Sequence, residues 1–190
     1  MTRLRKILWI SILCVSGCAL SPQTITITPD IKVASGSNVQ LQKGIAIVVN
    51  DVRQNKVLGT RGGIYKDTSS ITTDAQIVQS VQNSLTNAFR VLGYNVVSGS
   101  NAVSLTVDIT DLTYAASGDP TIRSVETSAA IKATCRNGSY VMTNDYRITD
   151  KKDVLKAPSD SDNVKIVNST LSSTLQRLFN DRGLLDCVNK

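Results

Sequence analysis

A regular alternation of apolar and polar side chains in the middle of the chain constrains the fold most. The run Val103–Leu112 places four aliphatic residues at odd positions, with Ser, Thr and Asp between them. Because successive side chains of a strand point to opposite faces, this run predicts a strand with one buried face and one solvated face. A sheet of such strands is mostly antiparallel, and its apolar face must be covered by other elements.

Several other segments have the patterning of strands. Thr24–Thr28 also alternates polar and apolar residues, and Pro29 limits it to an edge or a short strand. Gly44–Asp51 is a nearly continuous apolar run, which is typical of a strand covered on both faces. The dipeptide Asn137-Gly138 is a strong hairpin signal between two apolar-rich runs. The two strands that it joins are predicted at about 121–136 and 139–149, and a further short strand at 94–97.

Two segments have the apolar periodicity of a helix. The first follows Thr73-Asp74 as a cap and ends at Leu92, where Gly93 is suited to a left-handed C-terminal position. The second is predicted over Asp160–Phe179, with Gly183 as its cap. The chain therefore predicts an α+β two-layer sandwich, in which two helices pack on one face of a mixed, mostly antiparallel sheet of about five to six strands.

The N-terminus has the three parts of a secretory signal peptide: basic residues, the apolar run Ile7–Leu13, and small residues before Cys18. The apolar run is shorter than the roughly 20 residues that a membrane-spanning helix needs. Val15-Ser16-Gly17-Cys18 resembles a bacterial lipobox. The resemblance implies cleavage between Gly17 and Cys18, a diacylglycerol on the Cys18 thiol and an acyl chain on its amine. The alternative is an ordinary secretory signal that leaves Cys18 as a simple thiol.

These features divide the chain into a lipoprotein signal peptide at 1–17, a lipidated tether at 18–24 and one periplasmic α+β domain at 25–190. Ala19, rather than Asp, follows the cysteine. By resemblance to enteric sorting rules, this favours the periplasmic face of the outer membrane of a Gram-negative bacterium. We expect no cofactor besides the covalent lipid chains on Cys18.

Charge and cysteine content exclude several functions. The chain has 21 Lys and Arg and 15 Asp and Glu, and the signal removes three basic residues, which leaves 18 against 15. So small a surplus does not indicate nucleic-acid binding. The chain has no histidine, and Cys135 and Cys187 are the cysteines of the folded part, which argues against a zinc site. In an oxidising compartment these two form either a disulfide or a pair of free thiols.

Asp51 and Arg53 flank the end of a predicted strand, and Arg61 follows in the glycine-bearing stretch 53–70, which is predicted to be a loop or a loop with a short hairpin. One interpretation is a recognition site in which Arg53 and Arg61 bind a carboxylate or a phosphate. The other, which we favour, is a structural pair of Asp51 and Arg53 that orders the strand end.

Tyrosines and lysines on the late strands offer a second candidate surface. Tyr114, Tyr140 and Tyr146 combine apolar rings with polar tips, which suits either a glycan- or peptide-binding surface or the rim of the core. Lys151-Lys152 and Lys156 form a small basic loop, which is either a solvated turn or a contact to an anionic envelope polymer.

Enzyme chemistry has little support in the sequence. Without histidine, the side chain that titrates near neutral pH is missing. Asp108 and Asp111 are the best-spaced acids, but odd and even strand positions point to opposite faces, so we expect them to be apart.

Short segments spread over essentially the whole chain resemble the YajG family of bacterial lipoproteins. They are the lipobox, Thr24–Pro29, Asn50–Arg53, Leu58–Arg61, Leu92–Tyr94, Leu112–Tyr114 and Asn144–Tyr146. Cys135 and Cys187 lie outside this pattern. The resemblance implies an outer-membrane lipoprotein, and it supplies no catalytic residue.

We therefore expect a non-enzymatic accessory or scaffold subunit that binds another envelope protein, for example in a secretion or motility assembly. The predicted edge strand Thr24–Thr28 is the expected site of strand addition. Direct binding of peptidoglycan or lipopolysaccharide is the alternative function, and an envelope hydrolase is a remote one. The candidate contacts are Ile25, Ile27, Arg53, Arg61 and Tyr114.

Overall fold

The computed structural model describes residues 21–33, 44–62, 66–99, 102–118 and 123–190. These residues form one seven-stranded sheet and three α-helices. The strands are β1 (Gln23–Ile25), β2 (Ile45–Asp51), β3 (Val57–Thr60), β4 (Ser70–Thr73), β5 (Val103–Gly118), β6 (Arg123–Asn137) and β7 (Tyr140–Val154). The helices are α1 (Ile77–Val91), α2 (Asp160–Phe179) and α3 (Arg182–Asn189), and a short 3-10 helix spans Lys66–Thr68.

The sheet is mixed, as predicted. Its strands lie in the order β1-β4-β3-β5-β6-β7. The remaining strand, β2, pairs with the first half of β5, and β3 pairs with the second half along the same edge. The pairs β1/β4, β2/β5 and β3/β5 are parallel, and the other pairs are antiparallel. The predicted strand count is too low because the stretch 53–70, expected to be a loop or a loop with a short hairpin, contains β3, which pairs antiparallel with β4 at the end of this stretch. The short strand expected at 94–97 is reduced to one bridge between Val96 and Ile45.

One face of the sheet is apolar and carries the helices. Ile47 pairs with Leu105, which pairs with Cys135, and all three side chains are buried. The helix α1 packs against β2, α2 against β6 and β7, and α3 against β6 and β7. The α+β architecture is therefore confirmed, but three helices cover the sheet instead of the two that we expected.

The third helix exists because Asp181 begins a new one directly after α2. Its Oδ1 accepts hydrogen bonds from the backbone N–H groups of Gly183 and Leu184, at 2.8 and 3.4 Å. Gly183 consequently lies inside α3, and the prediction that it caps α2 is wrong. The other end of α2 agrees with the sequence, since Ser159 and Asp162 form a capping box.

A β-bulge in β5 changes which side chains share a face. The pairing with β6 shifts between Ile109 and Asp111, so one extra residue is inserted there. Asp108 and Asp111 therefore both lie on the open polar face, where they bond to Asn50 and Arg147 at 2.8 Å each. The expectation that they point to opposite faces is wrong, because strand parity does not persist across a bulge.

The glycines Gly93 and Gly138 have the positive φ angles that their predicted turns require, 94° and 61°. Gly93 ends α1, and Gly138 lies in the hairpin turn between β6 and β7. The expected Thr73-Asp74 cap is wrong: Thr73 still belongs to β4, and α1 begins after Gln76 without a side-chain cap.

The residues after β1 form an extended N-terminal arm (26–33) between α1 and α2. Backbone N–H groups of every second residue in this arm donate to α2 side chains: Thr28 to Asn168 at 2.6 Å, Asp30 to Ser172 at 2.9 Å, and Lys32 to Gln176 at 2.9 Å. The match is geometric, because two extended residues rise about 6.6 Å and four helical residues about 6 Å. On the other side, Ser84 of α1 donates to the Pro29 carbonyl at 2.7 Å.

A disulfide joins Cys135 of β6 to Cys187 of α3, with a Cα–Cα distance of 6.4 Å and a sequence separation of 52. Both residues are buried, and Asn137 donates a hydrogen bond to the Cys187 carbonyl at 3.0 Å. The disulfide holds α3 to the hairpin end of the sheet.

Candidate functional site

The predicted lipidation and cleavage residues, Gly17 and Cys18, lie outside the described residues, so the lipid anchor stays a prediction. The first described strand begins at Gln23, two residues before the predicted start of the domain. Gln23 is thus five residues after Cys18. In the described part of the chain, no helix is long and apolar enough to cross a bilayer.

The strand-edge contacts predicted at Ile25 and Ile27 are wrong. Both side chains have 0% exposure and belong to the hydrophobic core. The backbone edge next to them is also occupied, because the Asn168 side chain donates to the Thr26 carbonyl and accepts from the Thr28 N–H. The alternation in this segment reflects burial under α2, and no partner reaches these two side chains in the folded domain.

Arg53 forms the structural pair that we favoured. Its Nε and Nη2 atoms donate to the two carboxylate oxygens of Asp51 at 2.8 and 2.9 Å, and Nη2 also reaches Thr73 at 3.1 Å. Lys56 adds an ion pair at 2.9 Å. Burial alone would raise the pKa of Asp51, but the hydrogen bonds from Arg53 and Lys56 lower it to about 2.

Arg61 serves a different element. Its Nη2 lies 2.7 Å from Oδ1 of Asp160 in the first turn of α2. Arg53 and Arg61 therefore have separate carboxylate partners, and the structure does not support a shared site for one anion.

Five residues form a polar cluster around the first described strand: Gln23, Arg61, Tyr114, Asp160 and Asn163. The Tyr114 hydroxyl donates to Asn163 at 2.7 Å, and the Asn163 amide donates to the Gln23 side chain at 2.9 Å. Gln23 in turn donates to the Asp160 carbonyl at 2.8 Å. The cluster fixes the first described strand to α2 and to the middle of the sheet.

Burial raises the pKa of the Tyr114 hydroxyl to about 12, and the nearby charge of Arg61 opposes this only in part. The phenol therefore stays protonated at neutral pH and acts as a donor. Of the predicted contact residues, Arg61 and Tyr114 are brought together, but as parts of the fold and not as an open site.

The other tyrosines do not form a common surface with Tyr114. Tyr146 is buried, and its hydroxyl donates to Asp181 at 2.6 Å. Tyr140 lies at the far end of β7 under the Lys190 ammonium, 3.6 Å from the ring centroid. A tyrosine-lined binding surface is therefore not supported, whereas the prediction of rim and core positions agrees with the structure.

The strand β7 has a free edge. It has 15 residues and pairs only with β6 in the described sheet. Side chains occupy two of its outward backbone groups: Asn144 accepts from the Asp145 N–H, and Arg177 donates to the Arg147 carbonyl. The stretch 148–154 has no such side-chain partner in the described residues.

A pocket of about 370 Å³ lies between the end of β7 and the first turns of α2. Its walls are apolar, with Val154, Leu155 and Ile166 among them, and its charged residues are Lys152, Lys156, Lys165 and Asp162. Lys152 and Lys156 belong to the basic loop predicted from the sequence, whereas Leu155, which is 88% exposed, and Lys165 were not predicted. An isolated leucine beside Pro158 has no periodic pattern that would have revealed it.

No cluster of His, Cys, Asp or Glu suited to a metal ion occurs in the described residues.

Comparison with known proteins identifies the family and the fold. A search of curated proteins finds no match. The structure of XCC0632 from Xanthomonas campestris, assigned to DUF330, aligns over 89% of this chain and 96% of its own, with 9% identity and a TM-score of 0.49. A putative neuraminyllactose-binding hemagglutinin homolog from Helicobacter pylori aligns over 84% of this chain and 92% of its own, with 11% identity and a TM-score of 0.51.

The Helicobacter pylori structure shares the fold with this chain at low identity. The model of the Lipoprotein_16 family, described as uncharacterized lipoprotein, matches residues 29–188 and so spans most of the domain. The chain therefore belongs to this family of lipoproteins, the YajG family.

Proposed function

We propose that this protein is a non-enzymatic accessory lipoprotein on the periplasmic face of the outer membrane, which binds an extended segment of another envelope protein along the free edge of β7. Membership of a lipoprotein family and the lipobox at Val15–Cys18 support the anchored location. The lipid chains would confine the domain near the membrane and raise its effective concentration for a partner in the same compartment.

The observation that carries the proposal is the length of the free edge of β7. A strand edge presents unpaired N–H and C=O groups, which another extended chain can bond. The edge carries charged side chains such as Lys151 and Asp153, and charged side chains on an edge strand reduce non-specific pairing with other strands. A partner with its own charge pattern would select one register on the same edge.

The available part of the edge is the stretch 148–154, nearest to α2. In an antiparallel pair, alternate residues point their backbone groups away from the neighbouring strand. Asp145 and Arg147 belong to this outward set, because their backbone groups bond to Asn144 and Arg177. The pairing with β6 continues without a shift to Val154, so Lys151 also belongs to the outward set.

This geometry defines a test with a matched control. Lys151→Pro removes an outward N–H and leaves the bonds to β6 intact, so the domain should fold. Lys151→Ala removes the same side chain but keeps the N–H. With a photocrosslinking residue at Thr149 in intact cells, the alanine variant should form the same crosslinked protein as the parent, and the proline variant should lose it.

Retention of the crosslink in a folded Lys151→Pro variant would contradict strand addition at this edge. Loss of the crosslink in both variants would instead assign the contact to the lysine side chain, and would also contradict it.

Direct binding of peptidoglycan or lipopolysaccharide is less well supported. The Helicobacter pylori relative is titled a neuraminyllactose-binding hemagglutinin homolog, but its likeness to this chain is one of fold. The tyrosines that would form a glycan platform here are buried or far apart.

A further inference from the structure

We propose that the pocket between β7 and α2 is a membrane-contact face, which binds the headgroups of anionic lipids and inserts Leu155 at the boundary of the acyl chains. We call this face the Leu155 face; its lining includes Lys152, Val154, Leu155, Lys156, Asp162, Lys165 and Ile166. The inference rests on the lipid anchor of the proposed function, and it adds an orientation of the domain on the membrane.

The place where the anchor joins the domain is the first argument. Gln23 bonds to the Asp160 carbonyl and to the Asn163 side chain in the first turn of α2. Asp162 and Lys165, which follow on the same helix, line the Leu155 face. Because a helix is about 10 Å wide, Gln23 and this face lie close together on two sides of one helix start.

The reach of the tether is the second argument. Cys18 precedes Gln23 by five residues, so even a fully extended tether spans no more than about 17 Å. A lipid on Cys18 therefore keeps the start of α2 near the bilayer. The hairpin end of β7 is far away, because Val141 precedes Val154 by 13 residues, or about 43 Å of strand.

The chemistry of the face is the third argument. Three lysines line it against one acid, Asp162, whose carboxylate already accepts from the Ser159 hydroxyl at 2.7 Å. Asp160, two residues earlier in the same turn, is paired with Arg61. Lysines around an exposed leucine and an apolar floor suit an anionic interface, since the ammonium groups meet phosphates while the apolar parts leave water.

The sequence supplies a convenient probe. Trp9 is the single tryptophan of the chain and lies in the predicted signal peptide, so the mature protein would contain none. Leu155→Trp places a fluorophore on the Leu155 face, and Val141→Trp places the matched control at the other end of β7, where Val141 is also exposed. Both are made in the full lipidated protein, reconstituted into vesicles of phosphatidylethanolamine and phosphatidylglycerol with brominated acyl chains.

We expect both variants to float with the vesicles and only Leu155→Trp to be quenched by the brominated chains. Replacing Lys156 or Lys165 with alanine should lower the ratio of contacting to free domain about fivefold each, whereas Lys132→Ala on the open sheet face should not change it. Phosphatidylcholine vesicles should give much weaker quenching.

Equal quenching of the two tryptophan variants, no quenching of either in floating protein, or equal quenching in phosphatidylcholine would overturn the proposed face while leaving the anchor in place. Failure of the parent protein to float would remove the anchor itself, and with it this inference.

Discussion

The hydroxyl of Tyr114 in the middle of the sheet donates a hydrogen bond of 2.7 Å to Asn163 of α2. The same asparagine bonds Gln23, so a contact between β5 and α2 also holds the first strand of the domain. The entry point of the chain is thereby fixed by residues that lie far apart in sequence.

Removing that hydroxyl should destabilise the domain. In Tyr114→Phe the buried Asn163 oxygen loses its donor, and we expect unfolding to become easier by about 1–2 kcal/mol. Tyr140→Phe is the control, because the ring of Tyr140 contacts Lys190 at the surface. Urea unfolding of both variants measures the difference, and equal stabilities would show that the buried bond contributes nothing.

The Asp51–Arg53 pair should make stability depend on pH in a defined window. The pKa of Asp51 is about 2 in the folded protein and is near its ordinary value of 3.8 in the unfolded chain. Because the folded pKa is depressed, this stabilisation is fully present above about pH 4 and is lost as pH falls toward 2. At neutral pH, the free energy of unfolding of Asp51→Asn should therefore be about 2 kcal/mol lower than that of the parent. Between pH 4 and pH 2, the variant should lose less stability than the parent does.

The control for this pair is Asp145→Asn, since Asp145 is exposed and lies 3.8 Å from Lys132. We expect that change to cost less than about 0.5 kcal/mol. Free energies of unfolding at several pH values test both variants. Parallel pH profiles for the parent and Asp51→Asn would be incompatible with the depressed pKa of Asp51.

The Cys135–Cys187 bond closes a long loop and should contribute strongly to stability. At a sequence separation of 52, the chain-entropy model gives about 4 kcal/mol. The variant with both cysteines replaced by alanine should unfold at lower urea concentration, and reductant should destabilise the parent but not the variant. A reductant-insensitive parent would mean that the bond does not form in the native protein.

The N-terminal arm should open more readily when its hydrogen bonds to Asn168 of α2 are removed. Asn168→Ala deletes both bonds to the arm, at Thr26 and Thr28, whereas Ser169→Ala changes an exposed neighbour on the same helix. Amide hydrogen exchange at 26–33 should accelerate in the first variant and stay at the parent rate in the second. Unchanged protection in Asn168→Ala would show that apolar burial and the bonds from Ser172, Gln176 and Ser84 hold the arm without Asn168.

Local patterns predicted the elements whose residues interact mainly with chain neighbours. The helix Asp160–Phe179 has the bounds expected from its apolar spacing, and the expected hairpin forms one residue later than predicted, with Gly138-Ser139 as its turn and Asn137 as the last residue of β6. Gly93 follows α1 as predicted, because the left-handed backbone conformation at this position favours glycine.

The failures occur where a distant contact decides the outcome. The alternation around Ile25 predicts one buried face correctly, but it cannot reveal that Asn168 occupies the adjacent backbone edge. The alternation of side chains along a strand predicts Asp108 and Asp111 on opposite faces, but the β-bulge between them places both on one face. Leu155 appears in no periodic pattern, and only the folded structure places it beside the start of α2, where we propose the membrane contact.

The most direct test of the central claim is mass spectrometry of the N-terminal fragment of the protein isolated from outer membranes. We expect a chain that begins at Cys18, with a diacylglyceryl thioether on its sulfur and an acyl chain on its amine. The Cys18→Ser variant should lack both modifications and leave the membrane fraction. A native chain that carries no lipid at Cys18, or a serine variant that stays membrane-bound to the same extent, would contradict the account.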